Sequence, residues 1–457
     1  GAFFARAGFE DPLYKEVFRS YVEYLVREGF TQEFFIEGGR SRTGKMLSPR
    51  LGMLSWDVDA FLASARDDMF FVPIAISYER LVEESSMLEE MDGAEKKTES
   101  VLGLMRARKY LARRFGSAHV NFGDPISLAQ ALGDRRESLG SAGTGALIEE
   151  KRRFVERFGH RLVEQISWSA AANATSVAAA VLLSSPYRGM RRDSFVSRMH
   201  EVVGVLELQQ VKLSNALAQD LGDFNESITF LQWSDLIRSS RDRGGEIIYF
   251  EQSRRRALDI YRNSISHFLV SASFLSRRLL AGPMGPKDLE DDLRFWQEFF
   301  YQEYYTPRAD DVARRMRIHL EHFESQGWLL RLDAAASEYS VSEKGKAVLV
   351  FFAAQTRGVL AAYRALFEGL AEIDGEIRRK DIYRRAKEKF ENARLLGEPA
   401  GVESANETTL SNALELLESR GVLQRLPAEG KRSARDPAFA FGEHGRDLKG
   451  LTQRLAI

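Results

Sequence analysis

The first 130 residues alternate short apolar runs with segments of helical spacing, and this alternation is the strongest constraint on the fold. The apolar runs predict strands at 33–37, 70–76 and 118–122. Apolar residues at helical spacing predict helices over 51–65 and 101–115. Because strands and helices alternate in α/β layers, we expect an α/β domain over residues 1–132.

A linker and a helical region are predicted to follow. Residues 133–148 begin with a glycine- and serine-rich run, which is typical of an exposed linker. Helical spacing dominates 149–310, where an alanine-rich helix near 169–183 favours a buried packing element over a membrane role. Three aromatic pairs leave core packing and contact with a membrane interface both open: Phe295 and Trp296, Phe299 and Phe300, and Tyr304 and Tyr305.

The carboxyl-terminal part contains an internal echo. Residues 319–331 and 413–425 agree at seven of thirteen positions, and each segment predicts a helix that ends at a glycine and leads into an apolar strand. This transition is typical of winged-helix modules, so we expect a winged-helix-like region over 311–457. Acidic residues surround both copies, which favours protein scaffolding over binding of nucleic acid.

Charge and cysteine content exclude several classes of function. The 457 residues contain 65 Lys plus Arg against 66 Asp plus Glu, so no overall field attracts nucleic acid or an anionic bilayer. The absence of cysteine excludes disulfides, thiolate metal sites and a cysteine nucleophile. Only His319 and His322 form a close histidine pair, so we expect no metal site.

The segment from 34 to 50 carries the most informative chemistry. Two glycines allow a tight turn after the predicted strand, and four cations with no acidic residue lie between Gly38 and Trp56. The cations are Arg40, Arg42, Lys45 and Arg50. Arginine forks and backbone N–H groups in a glycine turn both bind phosphate well. The residues therefore predict a phosphate site, although a solvated basic loop stays an alternative.

Residues 35–45, with the sequence F-I-E-G-G-R-S-R-T-G-K, resemble the third signature block of the glycerol-3-phosphate acyltransferase family. Other family blocks follow the same order: 1–6 is similar to the second block, 71–79 to the fourth, and 120–125 to a later N-F-G-[DE]-P element. The resemblance extends to 93–100 and 261–267, covers most of 1 to about 330 and is weaker beyond. The chain looks most like the large bacterial membrane-associated form, beginning at the second block, so the α/β acyltransferase domain is expected to be incomplete at its amino terminus.

The resemblance implies transfer of a fatty acyl group from acyl-CoA or acyl-carrier protein to the sn-1 hydroxyl of glycerol-3-phosphate, which gives lysophosphatidic acid. It implies no cofactor, a membrane lipid surface as partner, and a location at the cytoplasmic face of the cell inner membrane. Two alternatives stay open: an acyltransferase acting on dihydroxyacetone phosphate, and a non-catalytic tandem winged-helix binding protein.

The same resemblance assigns roles to residues of the loop. Arg40 and Arg42 would clamp the substrate phosphate with Lys45 as an auxiliary, and Glu37 would orient an arginine or a substrate hydroxyl. We expect the neighbouring cations to lower the pKa of Glu37. The full set of expected substrate-binding residues is Arg6, Gly38, Gly39, Arg40, Ser41, Arg42, Lys45 and Pro73, the last in a bulge beside the acyl donor or simply in an edge strand.

We expect the general base, which removes the proton of the substrate hydroxyl, to lie outside the 457 residues. The family's first block, H-x-x-x-x-D, lies upstream of its second block, so we expect the 457 residues to bind substrate without turnover. His119 and Asp124 share that spacing but lie on the wrong side of the phosphate loop. We also expect Asn263 and His267 to form a buried pair on one helical face, whereas Lys96 and Lys97 leave solvation and donor-phosphate binding open.

Overall fold

The computed structural model describes residues 10–91, 115–141, 145–306, 311–332, 338–373, 375–427 and 436–455. These residues are mainly helical and contain small sheets of two or three strands, which agrees at that level with the expected mixture of helix and sheet. The chain divides into two compact units. Among the described residues, the first unit comprises 10–41, 46–76, 120–141 and 145–169, and the second comprises the others.

The first unit is built on helices that pack beside two short strand pairs. Its helices are α1 (Pro12–Glu28), α2 (Leu51–Ala63), α4 (Leu128–Leu132), α5 (Arg135–Gly140) and α6 (Gly145–Trp168). Its strands are β1 (Phe70–Phe71) and β4 (Ile126–Ser127), which pair antiparallel, and β2 (Ile74–Tyr78) and β3 (Ala118–Phe122), which pair and continue into the second unit. The helix α3 (Glu84–Met91) lies in the second unit.

The core of the first unit lies along α2. Leu54, Val58 and Phe61 are fully buried, as the helical spacing over 51–65 predicted. Helix α6 approaches α2 closely at Gly159, where a Cβ atom would lie 2.6 Å from the side chain of Leu51. The prediction of a helix after the loop is confirmed, because its apolar stripe needs only local spacing.

One face of the strands in the first unit is exposed and apolar. The N–H of Gly123 donates to the carbonyl of Pro73 at 2.8 Å, and on the other face Phe71 packs edge-on against Phe158 of α6. The exposed face carries Phe70, Val72, Ile74, Ile76, Val120 and Phe122. A group of exposed apolar side chains of this size is typical of a surface that another molecule covers.

The second unit contains most of the helices. After α3 they are α7 (Ala174–Ser184), α8 (Arg192–Leu208), α9 (Asn215–Gln219), α10 (Asn225–Trp233), α11 (Arg255–Asn263), α12 (Ser266–Leu280), α13 (Pro286–Phe299), α14 (Tyr301–Tyr304), α15 (Val312–Ser325), α16 (Glu343–Ala353), α17 (Arg357–Ala371), α18 (Arg379–Leu395), α19 (Glu407–Ser419) and α20 (Leu448–Leu455).

Among the described residues, three antiparallel sheets accompany these helices. The strands β5 (Gly189–Arg191), β6 (Arg238–Asp242) and β7 (Gly245–Tyr249) pair in the order β5–β7–β6. The strands β8 (Leu329–Arg331) and β9 (Tyr339–Val341) form a pair, and β10 (Ile377–Arg378), β11 (Leu423–Arg425) and β12 (Ala438–Phe441) follow the order β10–β12–β11. The first of these sheets was not predicted, because it lies inside a region of helical spacing.

The alanine-rich helix α7 is a buried packing element, as predicted. Every residue from Ala174 to Ser184 is buried, and Asn173 caps the helix through a reciprocal bond with Ser176. The aromatic pairs at 295–305 also serve the core in large part, since Trp296, Phe299, Phe300, Tyr304 and Tyr305 are buried. Within the described part of the chain, the structure contains no helix with the length and apolarity that a bilayer crossing requires.

The two echo segments adopt the same local form. Helix α15 is followed by Gly327 at a φ of +72° and then by β8, and α19 is followed by Gly421 at a φ of +67° and then by β11. The predicted helix, glycine and strand sequence is therefore confirmed in both copies, and β9 confirms the expected second strand near 338–343. A left-handed glycine ends each helix because other residues are strained at such φ values.

Two local predictions were wrong. Residues 33–37 form no strand, because the carbonyls of Phe35 and Ile36 accept the N–H groups of Gly38 and Arg50 and close a turn. The predicted linker includes helix α5, whose Leu139 is buried against the first unit's other helices. The predicted helix at 101–115 lies outside the described residues apart from its last position.

Candidate functional site

The first half of the predicted phosphate loop is closed by hydrogen bonds at its base. The Glu37 carboxylate accepts the N–H of Leu47 at 2.8 Å, and the carbonyl of Ile36 accepts the N–H of Arg50 at 2.7 Å. Gly38 adopts a φ of +64°, and a Cβ there would lie 2.6 Å from the Cγ atom of Arg50. Gly38 is thus required for the turn, whereas a Cβ at Gly39 would meet open space.

Arg40, Ser41 and Arg42 follow this turn. Arg40 and Arg42 are exposed and Ser41 is half-buried. Exposed guanidinium groups on a glycine-rich turn are chemically suited to bind an anion, because each offers a planar fork of donors. Their assignment to a substrate phosphate stays a prediction. Residues 42–45 belong to the second unit, although the chain on both sides of them belongs to the first.

Helix α11 holds the next two residues of the loop. The side-chain amide of Asn263 donates to the carbonyl of Thr43 at 2.8 Å. Gly44 has a φ of +76°, and a Cβ at this position would overlap the carbonyl oxygen of Ile260. Backbone atoms can approach this closely only where a side chain is absent.

Lys45 is buried in the second unit. Its ammonium forms an ion pair with Glu303 and donates to the hydroxyl of Thr409 at 2.8 Å. The predicted auxiliary contact of Lys45 with phosphate stays a prediction, but the charge of Lys45 is balanced by a carboxylate of the fold in this structure. A phosphate would have to displace that carboxylate to bind Lys45.

A second buried cluster lies on α11. The Asp259 carboxylate pairs with Arg262 and accepts from the Asn263 amide at 3.1 Å. Burial raises the pKa of Asp259, and the Arg262 guanidinium opposes that shift. Arg255 of the same helix donates to both oxygens of Glu403, at 3.1 and 3.0 Å. These side chains fix the helix that contacts Thr43 and Gly44.

The Asn263 and His267 prediction was partly wrong. Both residues are buried, as expected. They do not share one helix, because α11 ends at Asn263 and α12 begins at Ser266. The Asn263 amide donates hydrogen bonds to the Thr43 carbonyl and the Asp259 carboxylate.

The pKa expectation for Glu37 was also wrong. Burial raises the pKa of its carboxyl above the ordinary value, and the hydrogen bond from Leu47 opposes this shift more weakly. Loss of water around a half-buried carboxylate therefore outweighs the attraction of nearby cations. Glu37 is hydrogen-bonded to Leu47 on the opposite side of the loop, so it shapes the turn.

Other candidate residues have defined places or lie outside the described residues. Pro73 lies between β1 and β2, where its missing N–H interrupts the strand. Its carbonyl accepts the N–H of Gly123. The Nε2 atom of His119 lies 3.9 Å from Glu79. Arg6, Lys96 and Lys97 lie outside the described residues.

Sequence reasoning missed Glu303, Thr409 and Asn412. Asn412 donates to Glu303 at 2.7 Å, so the partner of Lys45 is itself held by α19. A signal for Glu303 was available, since a single carboxylate within the aromatic run 299–305 requires a partner if the run is buried. Nothing in the sequence indicated that this partner was Lys45.

Among the described residues, no group of His, Asp and Glu side chains could hold a metal ion. His319 is fully buried, and its Nδ1 lies 2.7 Å from the carbonyl of Arg315. Burial lowers the pKa of His319 to about 4. Of the close histidine pair, His319 therefore belongs to the core around α15, whereas His322 is half-buried.

Most of the chain matches a known family. Residues 87–425 match the glycerol-3-phosphate acyltransferase C-terminal region. The glycerol-3-phosphate acyltransferase of Pseudomonas putida (strain W619) is 36% identical over 296 residues, which is 61% of this chain and 35% of that protein. That of Pseudomonas entomophila (strain L48) is 35% identical over 295 residues, or 63% of this chain and 35% of that protein.

These relatives are much longer than the chain. The glycerol-3-phosphate acyltransferase of Pseudomonas fluorescens (strain Pf0-1) is 35% identical over 282 residues, covering 60% of this chain and 33% of that protein. The chain thus spans about a third of the length of the curated relatives it matches. The family match runs from within α3 to β11 and includes all the side chains that hold Lys45, and the chain belongs to the glycerol-3-phosphate acyltransferase C-terminal region family.

Proposed function

We propose that the whole protein transfers a fatty acyl group from acyl-CoA or acyl-carrier protein to the sn-1 hydroxyl of glycerol-3-phosphate. Family membership and the names of the relatives support this activity. The observation that carries it in this chain is the turn at 38–42, where two exposed arginines follow two glycines and no carboxylate interrupts residues 38–56. Such a turn is complementary to the phosphate of the acceptor.

The substrate phosphate is assigned to Arg40 and Arg42, with backbone N–H groups of Gly38 and Gly39 and the hydroxyl of Ser41 as further donors. Glu37 shapes the base of the turn through Leu47. Arg6 contributes a further cation. Pro73 is assigned to the side that faces the acyl donor. No cofactor is required, because a thioester already carries an activated acyl group.

The chemical step transfers the acyl group from the sulfur of the thioester to the sn-1 oxygen of the acceptor. The sn-1 oxygen attacks the thioester carbonyl carbon while its proton passes to a general base, and the thiolate leaves and takes up a proton. The products are lysophosphatidic acid and the free thiol. We assign the base to the H-x-x-x-x-D pair that the family resemblance implies, and the turn at 38–42 binds and orients the acceptor.

We also propose assignments for the two units of the fold. We assign the first unit to part of an α/β acyltransferase domain. The α15–β8–β9 and α19–β11–β12 segments are assigned to winged-helix-like modules with a scaffolding role, since each combines a helix, a left-handed glycine and an antiparallel strand pair.

A membrane surface is the proposed working environment, at the cytoplasmic face of the inner membrane. The product carries an acyl chain that partitions into lipid, and the exposed apolar strand face at 70–76 and 120–122 offers a surface for lipid contact. Flotation with phospholipid vesicles tests this. Phe122→Ser should reduce flotation, whereas Leu396→Ser, at a still more exposed apolar position of the second unit, should not.

Calorimetric titration of glycerol-3-phosphate into the 457-residue protein tests the function. The proposal predicts saturable binding of glycerol-3-phosphate, and no binding of glycerol at the same concentrations, because the phosphate supplies the recognised charge. Dihydroxyacetone phosphate in competition measures the preference for the alcohol. Equal binding of glycerol and glycerol-3-phosphate would contradict the proposal.

A further inference from the structure

Lys45 and Glu303 form a buried ion pair across 258 residues of sequence. The side chain of Lys45 is 5% exposed and that of Glu303 is fully buried. Opposite charges at such depth stay ionised only when they are paired and hydrogen-bonded. The pair therefore fixes the position of Lys45 within the second unit.

Glu303 is held from several directions. It lies on the short helix α14, its Oε2 accepts from the Asn412 amide of α19 at 2.7 Å, and the Tyr363 hydroxyl of α17 lies 3.5 Å away. Thr409, one turn before Asn412, contributes its hydroxyl to Lys45. Side chains from three helices thus set the position of one ammonium group.

The two residues before Lys45 also contact helix α11. The carbonyl of Thr43 accepts from Asn263, and Gly44 lies against the carbonyl of Ile260. Because residues 43, 44 and 45 are all held by contacts, the direction of the backbone at Arg42 is fixed.

We propose that Glu303 is a positioning residue that holds the segment 42–45 and thereby places the Arg42 guanidinium for phosphate. The consequence for phosphate rests on the proposed function, whereas the anchoring of the segment does not. Glu303 touches no substrate in this account, because it acts through Lys45. The proposal explains why a buried carboxylate lies in the aromatic run 299–305, where apolar packing alone would favour an uncharged residue.

Hydrogen exchange of peptides covering 41–47, together with titration of glycerol-3-phosphate, tests the proposal in the 457-residue protein. In Glu303→Gln, the Lys45 ammonium loses its counter-charge. Exchange of the 42–46 amides should become at least tenfold faster, and binding of glycerol-3-phosphate at least tenfold weaker. Glu201→Gln is the matched control, since it removes the carboxylate partner of Arg198 in the same unit. It should leave both measurements unchanged.

A milder variant covers the case in which Glu303→Gln unfolds the protein. Thr409→Val removes one hydrogen bond to Lys45 and leaves the ion pair, so it should produce smaller changes in the same direction. Wild-type exchange at 42–46 in the folded variants, or faster exchange with unchanged affinity, would overturn the proposal. Absence of glycerol-3-phosphate binding by the wild type would contradict the proposed function, and the exchange data would then decide the anchoring by themselves.

Discussion

Gly44 lies against the backbone carbonyl of Ile260 and adopts a φ of +76°. This contact lies within the second unit and brings the backbone at residue 44 against helix α11. Position 44 therefore tolerates only glycine, for a steric and a conformational reason at once.

Gly44→Ala should destabilise the protein by about 2 kcal/mol or more, because the new Cβ overlaps a carbonyl oxygen and strains a left-handed residue. Urea unfolding followed by circular dichroism measures the loss. Gly39→Ala is the control, since its Cβ would meet no atom within 4 Å. Equal stability of the two variants would contradict the contact at position 44.

Asp57 predicts a pH dependence in the first unit. Burial raises the pKa of this carboxyl to about 7, above its ordinary value of 3.8. The folded state therefore binds more protons than the unfolded state between these values, so the contribution of Asp57 to stability falls as pH rises from about 4 to 7. The shift corresponds to about 4 kcal/mol as an upper limit.

Asp57→Asn should remove this dependence, because the amide does not titrate. Relative to wild type, the variant should gain free energy of unfolding at pH 8 compared with pH 5. The measurement is the difference between the two proteins at each pH, which cancels other titrating groups. A constant difference across this range would show that Asp57 titrates normally.

For His319 in the second unit, we expect stability to change with pH in the opposite direction. Its pKa is lowered to about 4 by burial, so the folded state binds fewer protons than the unfolded state between about 4 and 6.5. Stability contributed by His319 is lost as pH falls through this window, by about 3 kcal/mol at most. His319→Asn keeps a donor for the Arg315 carbonyl and should flatten the slope measured by thermal unfolding. The same substitution at exposed His200 should leave it intact.

Local patterns predicted what local contacts determine. The apolar spacing of Leu54, Val58 and Phe61 was sufficient for α2, and the glycines at 327 and 421 were sufficient for the ends of α15 and α19. These elements need no information from distant sequence. The same holds for β3, whose run at 118–122 was predicted at its observed bounds.

Distant contacts account for what the sequence did not reveal. The run at 33–37 has strand composition but no strand partner among the described residues, because Ile36 bonds to Arg50 instead. Lys45 belongs to a cationic loop by composition, yet Glu303 determines its environment from 258 residues away. Glu37 illustrates the same point for pKa, since burial outweighs the neighbouring charges. Burial and pairing of this kind depend on the complete fold.

The central claim is that the turn after Glu37 binds the phosphate of a small alcohol through Arg40 and Arg42. The most direct test is the dissociation constant of glycerol-3-phosphate for wild type, for the double variant Arg40→Gln and Arg42→Gln, and for Arg241→Gln as an exposed arginine on β6. We expect the double variant to bind at least a hundredfold more weakly and Arg241→Gln to bind as wild type does. Wild-type affinity in the double variant would contradict the account.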